Sequence, residues 1–242
     1  MNALHGKKRD DALDAARGVS LIAMIAYHIV FDLSYFGFIQ FDPFFRYLAY
    51  PIAGSFIFIA GISLSIKAQS IGLQADYRAS VSPFISRGIK ILGIAAGITI
   101  GTWIYPHEGF IVFGILHLIG ISTILAILFL PLGRWNILPA GMIILIWLIF
   151  FPLNGSAYLI PLGIYPPGFY TLDYEPLIPW FSLILVGIAA GSVWYSGKRI
   201  KQRENRIVKL LAVPGRNSLI IYLIHQPIII GFLFLIREAG IW

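Results

Sequence analysis

Long apolar blocks, separated by short polar or Pro- and Gly-rich breaks, run the length of this chain. Seven stretches can be marked off: Val19 to Phe38, Phe45 to Ile66, Phe84 to Tyr105, Phe110 to Leu130, Trp135 to Phe151, Leu177 to Tyr195 and Ser218 to Ile236. Most hold about twenty residues, the length at which a helix crosses the hydrocarbon core of a bilayer. A backbone in lipid has no water for its N–H and C=O groups, so it spans only as a helix or a closed barrel, and runs of this length select the helix. The expected fold class is all-α, a polytopic transmembrane helix bundle of about seven spans. Residues 1–242 read as a single domain, with 1–17 as a tail, 152–176 as an outer loop and 196–216 as a basic loop. The outer loop, rich in Pro, Gly and Tyr, has room for a lid, a re-entrant turn or an extra short helix.

Composition agrees, since 58% of the 242 residues are hydrophobic and only 12% are charged. Soluble domains carry about 25% charged residues, so an ordinary soluble domain is excluded. Charge then orients the chain. With the N-terminus inside, every Lys and Arg except Arg46 and Arg237 falls on an inner segment, the bias that cytoplasmic loops keep. Asp42, Glu108, Asp173, Glu175 and Glu238 fall outside. The N-terminus is therefore expected in the cytoplasm and the C-terminus outside. The first block is too long for a signal-peptide core and lacks an A-x-A site, so it is expected to remain. The formal charge of +7 goes to one membrane face, and no nucleic-acid partner is expected. The basic run Ser196 to Arg216 reads as a topology determinant in contact with anionic lipid. The chain has no Cys, which excludes disulfides, iron–sulfur clusters, Cys-ligated zinc and an acyl-Cys intermediate. No metal site is expected.

Ionisable groups inside a span are expensive and mark function. His28 lies near the middle of the first block, with Asp32 at i+4 on the same helical face and within hydrogen-bonding reach. Arg17 precedes His28 by almost three turns and Tyr35 follows by two, so one stripe runs from an inner cation through an imidazole and a carboxylate to an outer phenol. A carboxylate beside an imidazole fixes its tautomer and stabilises the imidazolium, the arrangement of a general base. The last block carries a second stripe of Ser218, Tyr222 and His225, with Gln226 beside it. Pro227 there leaves the Leu223 carbonyl without its helical donor. His117 has no carboxylate in its own block and reads as structural. Gly93, Gly97 and Gly101, and Gly187 with Gly191, are spaced to let helices approach closely. Asp173 and Glu175, just before Pro176, suit capping of the helix that follows; alternatively they and Trp180 belong to a lid over a polar acceptor.

Four motifs resemble one known family. They are Leu13-Asp14-Ala15-Ala16-Arg17-Gly18 followed by Tyr27-His28 and Phe31-Asp32; Phe113-Gly114-Ile115-Leu116-His117; Asp173-Tyr174-Glu175-Pro176-Leu177-Ile178-Pro179-Trp180-Phe181; and Gly215-Arg216-Asn217-Ser218 through Tyr222 to His225-Gln226-Pro227. They are similar to the catalytic domain of heparan-alpha-glucosaminide N-acetyltransferases and their prokaryotic relatives, within the membrane-embedded acyltransferases. The resemblance implies an integral protein of a prokaryotic cell membrane that takes an acetyl group from cytoplasmic acetyl-CoA and passes it to an amine or hydroxyl, of an amino sugar or other carbohydrate-like acceptor, on the far side. Large eukaryotic members carry a proposed catalytic His after the first helix. This chain has no His between Phe38 and Arg46, so the role is given to His28.

On that reading Arg17, Arg87, Lys90 and Arg216, with Asn217 and Ser218, hold the CoA moiety, the cations on its phosphates. His28 is the general base oriented by Asp32, His225 and Tyr222 complete the catalytic set, and Tyr222 or Asn217 serves the oxyanion. Tyr35, Asp173, Glu175 and Trp180 meet the acceptor. The partners expected are the lipid bilayer, the acyl-CoA donor, the acceptor and a second copy of the chain. Direct transfer and an acetyl-His intermediate both remain open. Two other classes compete: a proton-coupled transporter with His28 and Asp32 as relay, and a non-catalytic scaffold whose polar stripes glue helices together.

Overall fold

A computed structural model describes residues 10–40, 42–71, 77–196 and 205–240, so most of the N-terminal tail and residues 197–204 of the basic loop lie outside the described residues. Eight α-helices account for most of these: α1 Asp11–Tyr35, α2 Phe45–Ile71, α3 Tyr77–Ile104, α4 Ile115–Phe129, α5 Ile137–Phe150, α6 Leu177–Trp194, α7 Arg206–Arg216 and α8 Ser218–Glu238. Among the described residues, six helical stretches are long and apolar enough to cross a membrane. The fourth and fifth apolar blocks, expected as two separate spans, fall within one stretch of 36 residues, Ile115–Phe150, which a non-helical residue, Gly133, divides into two helices. A 3-10 turn, Leu130–Asn136, joins α4 to α5 and bends at Gly133, whose φ of 52° an L side chain would resist. The carbonyls set free by the bend are taken up by buried Asn136, whose Nδ2 donates to Phe129 O at 2.9 Å and Gly133 O at 2.8 Å.

The chain divides into two compact units, Met1–Phe56 with Arg199–Trp242, and Ile57–Lys198. In the first, α1 packs along α7 and against α8. The α1/α7 crossing is backbone against backbone. A Cβ on Gly18 would lie 1.9 Å from Leu211 O, and one on Gly215 would lie 1.7 Å from Asp14 O. The first and last motifs noted in the sequence thus supply the two glycines of one crossing.

In the second unit, the latter part of α2 meets α6 in the same way. A Cβ on Gly61 would lie 2.2 Å from Ile184 O, and one on Gly187 2.2 Å from Phe58 O. The Gly187/Gly191 step therefore does what its spacing predicts. Gly93, Gly97 and Gly101 on α3 do not, since a Cβ on any of them would meet no described atom within 4 Å. Phe84, Leu118, Ile184, Leu185 and Ile188 are fully buried in this unit.

Two segments that the sequence reading gave as loops hold short elements. The end of the basic loop is helical, as α7, begun by Asn205, whose side chain accepts from Ile207 N. The outer loop 152–176 holds a short 3-10 turn, Ala157–Leu162, beside a parallel pair of two-residue strands, β1 Leu153–Asn154 and β2 Ile164–Tyr165.

Candidate functional site

Asp10 caps α1 by accepting from Ala12 N and Leu13 N, which fixes where the helix begins and buries Asp11 and Asp14 on the side facing α7. Arg216, the last residue of α7, answers them: its Nη2 lies 2.5 Å from Asp11 Oδ1 and its Nε 3.7 Å from Asp14 Oδ2. Arg17 pairs with Asp14 Oδ1 at 2.5 Å. Two of the cations expected to face CoA phosphates are thus held by aspartates that the sequence reading had left out. Arg216 keeps a side-chain exposure of 37%, so part of its fork remains open to solvent. Asn217 Nδ2 donates to Val213 O at the end of α7, and Ser218 opens α8. Arg87 and Lys90 are exposed on α3 in the other unit.

Further along α1 lies a second polar group. Gln226 Nε2 on α8 is 2.8 Å from His28 Nδ1, and the same side chain hydrogen-bonds to Asp32. The amide, not the Asp32 carboxylate, occupies the Nδ1 side of His28. The His28 and His225 rings stand 5.1 Å apart between centroids, and the Tyr222 ring is 5.6 Å from that of His225. His225 Nδ1 is 2.6 Å from Tyr222 O. A carbonyl only accepts, so Nδ1 carries the hydrogen and the neutral ring presents a bare lone pair at Nε2. Conversely, an amide N–H donating to His28 Nδ1 leaves the hydrogen of neutral His28 on Nε2. His225 Nε2, Gln226 Oε1 and Asp32 Oδ2 are all buried without a hydrogen-bond partner. Three acceptors with nothing to accept are costly unless a donor arrives. Tyr35 is half exposed at the end of α1 and stacks on Phe31.

The Phe113 to His117 and Asp173 to Phe181 motifs form a third group, in the second unit. Phe113 and Tyr174 make an isolated parallel bridge, with Glu175 N donating to Phe113 O at 3.2 Å. Asp173 Oδ2 accepts from Ile115 N at 3.2 Å. It thus caps α4, whereas α6, the helix it was expected to cap, has Pro176 at its N-cap position and no side-chain cap. A Cβ on Gly114 would lie 2.1 Å from that carboxylate. His117 Nδ1 accepts from Gly114 N and its Nε2 is 3.3 Å from Thr99 Oγ1. The carboxylate missing from its own block is Asp173, close enough to act on the ring through charge. Burial, and then Asp173, push the Glu175 carboxyl well above the ordinary carboxylate range. Its Oε2 is buried without a partner. Burial and Tyr165 push the Tyr174 phenol up to about 12, and its hydroxyl donates to Ile160 O at 2.8 Å. Trp180 is half-buried on α6.

Of the residues singled out in the sequence, His28, Asp32, Tyr222 and His225 are brought together, and Arg17 and Arg216 share one carboxylate. Arg87, Lys90, Asp173, Glu175 and Trp180 belong to the second unit. Gln226, Asp11 and Asp14 are the members that sequence reasoning did not assign. Their signals were a Gln next to a membrane His, and two acids at i and i+3 followed by Arg17.

Membrane-length helices that carry a His–Gln–His–Asp group, with Asp32 and His225 buried, make this an integral membrane protein with a polar centre inside one of its units. It belongs to the family described as heparan-alpha-glucosaminide N-acetyltransferase, catalytic, whose model matches residues 9–227. The family is one of membrane acetyltransferases. No curated protein and no solved structure matches the chain.

Proposed function

We propose that the protein transfers an acetyl group from acetyl-CoA to an amine or hydroxyl, on an amino sugar or related carbohydrate, across the membrane. The observation that carries this reading is the pair of half-buried His28 and buried His225, with Nδ1 of one ring held by an amide and Nδ1 of the other by a carbonyl. Those contacts favour a division of labour that differs from the sequence expectation of His28 as base. His225 Nε2, a lone pair without a partner, removes a proton from the acceptor N–H or O–H as that atom attacks the thioester carbonyl. His28, with its hydrogen on Nε2, donates to the oxyanion that develops. The tetrahedral intermediate collapses by breaking the C–S bond, and the departing CoA thiolate takes the proton from the His225 imidazolium. Gln226 positions His28, and Asp32 stabilises the positive charge that appears during the transfer.

The unpartnered acceptors at His225, Gln226 and Asp32 favour a donor-rich acceptor group such as an amine. In the first unit Arg216 and Arg17, held by Asp11 and Asp14 at the start of α1, are with Asn217 and Ser218 the candidates for the CoA phosphates, and Tyr35 for the acceptor; the second unit has its own candidates, Arg87 and Lys90 for phosphate and Asp173, Glu175 and Trp180 for the acceptor. The topology that serves this chemistry has seven spans, with α4 and α5 counted separately, a cytoplasmic N-terminus and an outer C-terminus, in a prokaryotic cell membrane. The test is transfer of labelled acetyl from acetyl-CoA to glucosamine by the purified protein in lipid nanodiscs, beside His225→Ala and His28→Ala. Acetyl-CoA binding that survives in both variants while transfer stops supports the reading. No acetyl-CoA binding by the wild type overturns it.

A further inference from the structure

We infer that α7 is a membrane-surface anchor, lying in the anionic headgroup layer at the face of the membrane where α1 and α8 begin. Eleven residues make a helix about 16 Å long, too short to cross about 30 Å of hydrocarbon. One side of it is used up by the crossing with α1, where Ala212 and Gly215 are buried. The side turned away carries Ile207, Leu210 and Val213, which are 67%, 71% and 54% exposed. Three large apolar side chains at i, i+3 and i+6 form one stripe on a helix. Arg206 and Lys209, both exposed, stand at its start and along its border.

Lipid is the occupant that the geometry selects. α8 starts only two residues after α7 ends, so α7 sits at the membrane edge where α8 enters. Ile220 and Ile228 of α8 are also exposed, each 61%, as expected of a span-length apolar helix that meets acyl chains. The neighbouring cations match lipid phosphates, the combination of an apolar face and a basic border that holds amphipathic helices in the interface. Because Gly18 and Gly215 lock α7 to α1 backbone to backbone, lipid that holds α7 also sets the depth at which α1 enters.

The chain has no Cys, so single-cysteine variants take one spin label each without background. Leu210→Cys, Lys209→Cys and, as a folding control in mid-span, Ile228→Cys are labelled in nanodiscs of phosphatidylcholine with phosphatidylglycerol. Collision with oxygen and with a water-soluble nickel chelate is then measured. The oxygen-to-nickel ratio is expected to be several-fold higher at 210 than at 209. A nickel-dominated label at 210 overturns the proposal, as does one shielded from both reagents, which would mean that protein covers the stripe. Adding Arg206→Gln and Lys209→Gln to the Leu210→Cys variant should move the label outward in discs containing phosphatidylglycerol and not in phosphatidylcholine alone. An unchanged depth there overturns the role of anionic lipid, provided the 228 label still reports hydrocarbon.

Discussion

Gln226 of α8 and His28 of α1, 198 positions apart in the chain, meet at 2.8 Å. The contact decides which nitrogen of His28 carries its hydrogen, and with the Tyr222 carbonyl on His225 it gives two neighbouring imidazoles opposite tautomers. A single histidine would have to serve as base and as donor in turn.

Removing either ring should therefore fail differently. His225→Ala is expected to lower kcat for acetyl transfer by about 10²- to 10⁴-fold, the worth of a positioned base, and small imidazole added to the assay should restore part of it. His28→Ala should cost about 10²- to 10³-fold, the worth of one oxyanion donor, with no imidazole rescue. Gln226→Leu, which leaves both rings, should lower kcat by about 10- to 100-fold through misplacement alone, with KM for acetyl-CoA unchanged. Equal losses in all three, with identical rescue, would remove the division of roles.

Gly215→Ala and Gly97→Ala test close packing in opposite directions. The first forces a methyl into the Asp14 carbonyl, since its Cβ would lie 1.7 Å away. It is expected to cost about 1–3 kcal/mol or more. The second meets no described atom within 4 Å, and Ala favours helix over Gly by about 1 kcal/mol. Thermal midpoints in one detergent should fall for the first and hold or rise for the second.

Arg216→Ala leaves Asp11 buried without its partner. A broken buried pair costs about 3–5 kcal/mol, and the partial exposure of Arg216 places this one at the lower end. Adding Asp11→Asn should recover most of the loss, a coupling that a double-mutant cycle by chemical denaturation would measure. Additive losses would mean that the pair contributes nothing of its own.

Glu175 gives a pH dependence of known sign. Burial, and then Asp173, raise its folded carboxyl well above the ordinary carboxylate range, so the folded state binds the proton more tightly than the unfolded state. The stability that follows is complete below about pH 4.5 and is lost as pH rises through the folded value. Glu175→Gln imitates the protonated acid. The fall in thermal midpoint between mildly acid and mildly alkaline buffer should be smaller in that variant than in wild type, and identical slopes would place the dependence elsewhere.

The membrane helices were legible because the hydrophobic effect writes them as uninterrupted apolar runs, and α6 and α8 begin where those runs begin. α7 was not, because a short helix that packs through Ala212 and Gly215 needs no long apolar run. The His28 to Asp32 face could be read from i+4 spacing alone. Gln226 as its bridge could not, since nothing local says which residue of a distant helix arrives at that height. Asp173 shows the same limit: proximity in sequence pointed it at α6, and tertiary contact gave it to α4. The α3 glycines had the spacing of an interface, yet no described neighbour came to fill it.

The Arg216 to Asp11 pair joins residues 205 positions apart, which has a consequence for biosynthesis. At about 5–20 residues per second, α1 emerges some 10–40 s before the residue that pairs with Asp11. Over that interval the first helix holds Asp11, Asp14 and Asp32 with no α7 or α8 to cover them. A nascent chain stopped short of α7 is left with Asp11 lacking the cation that answers it in the finished fold.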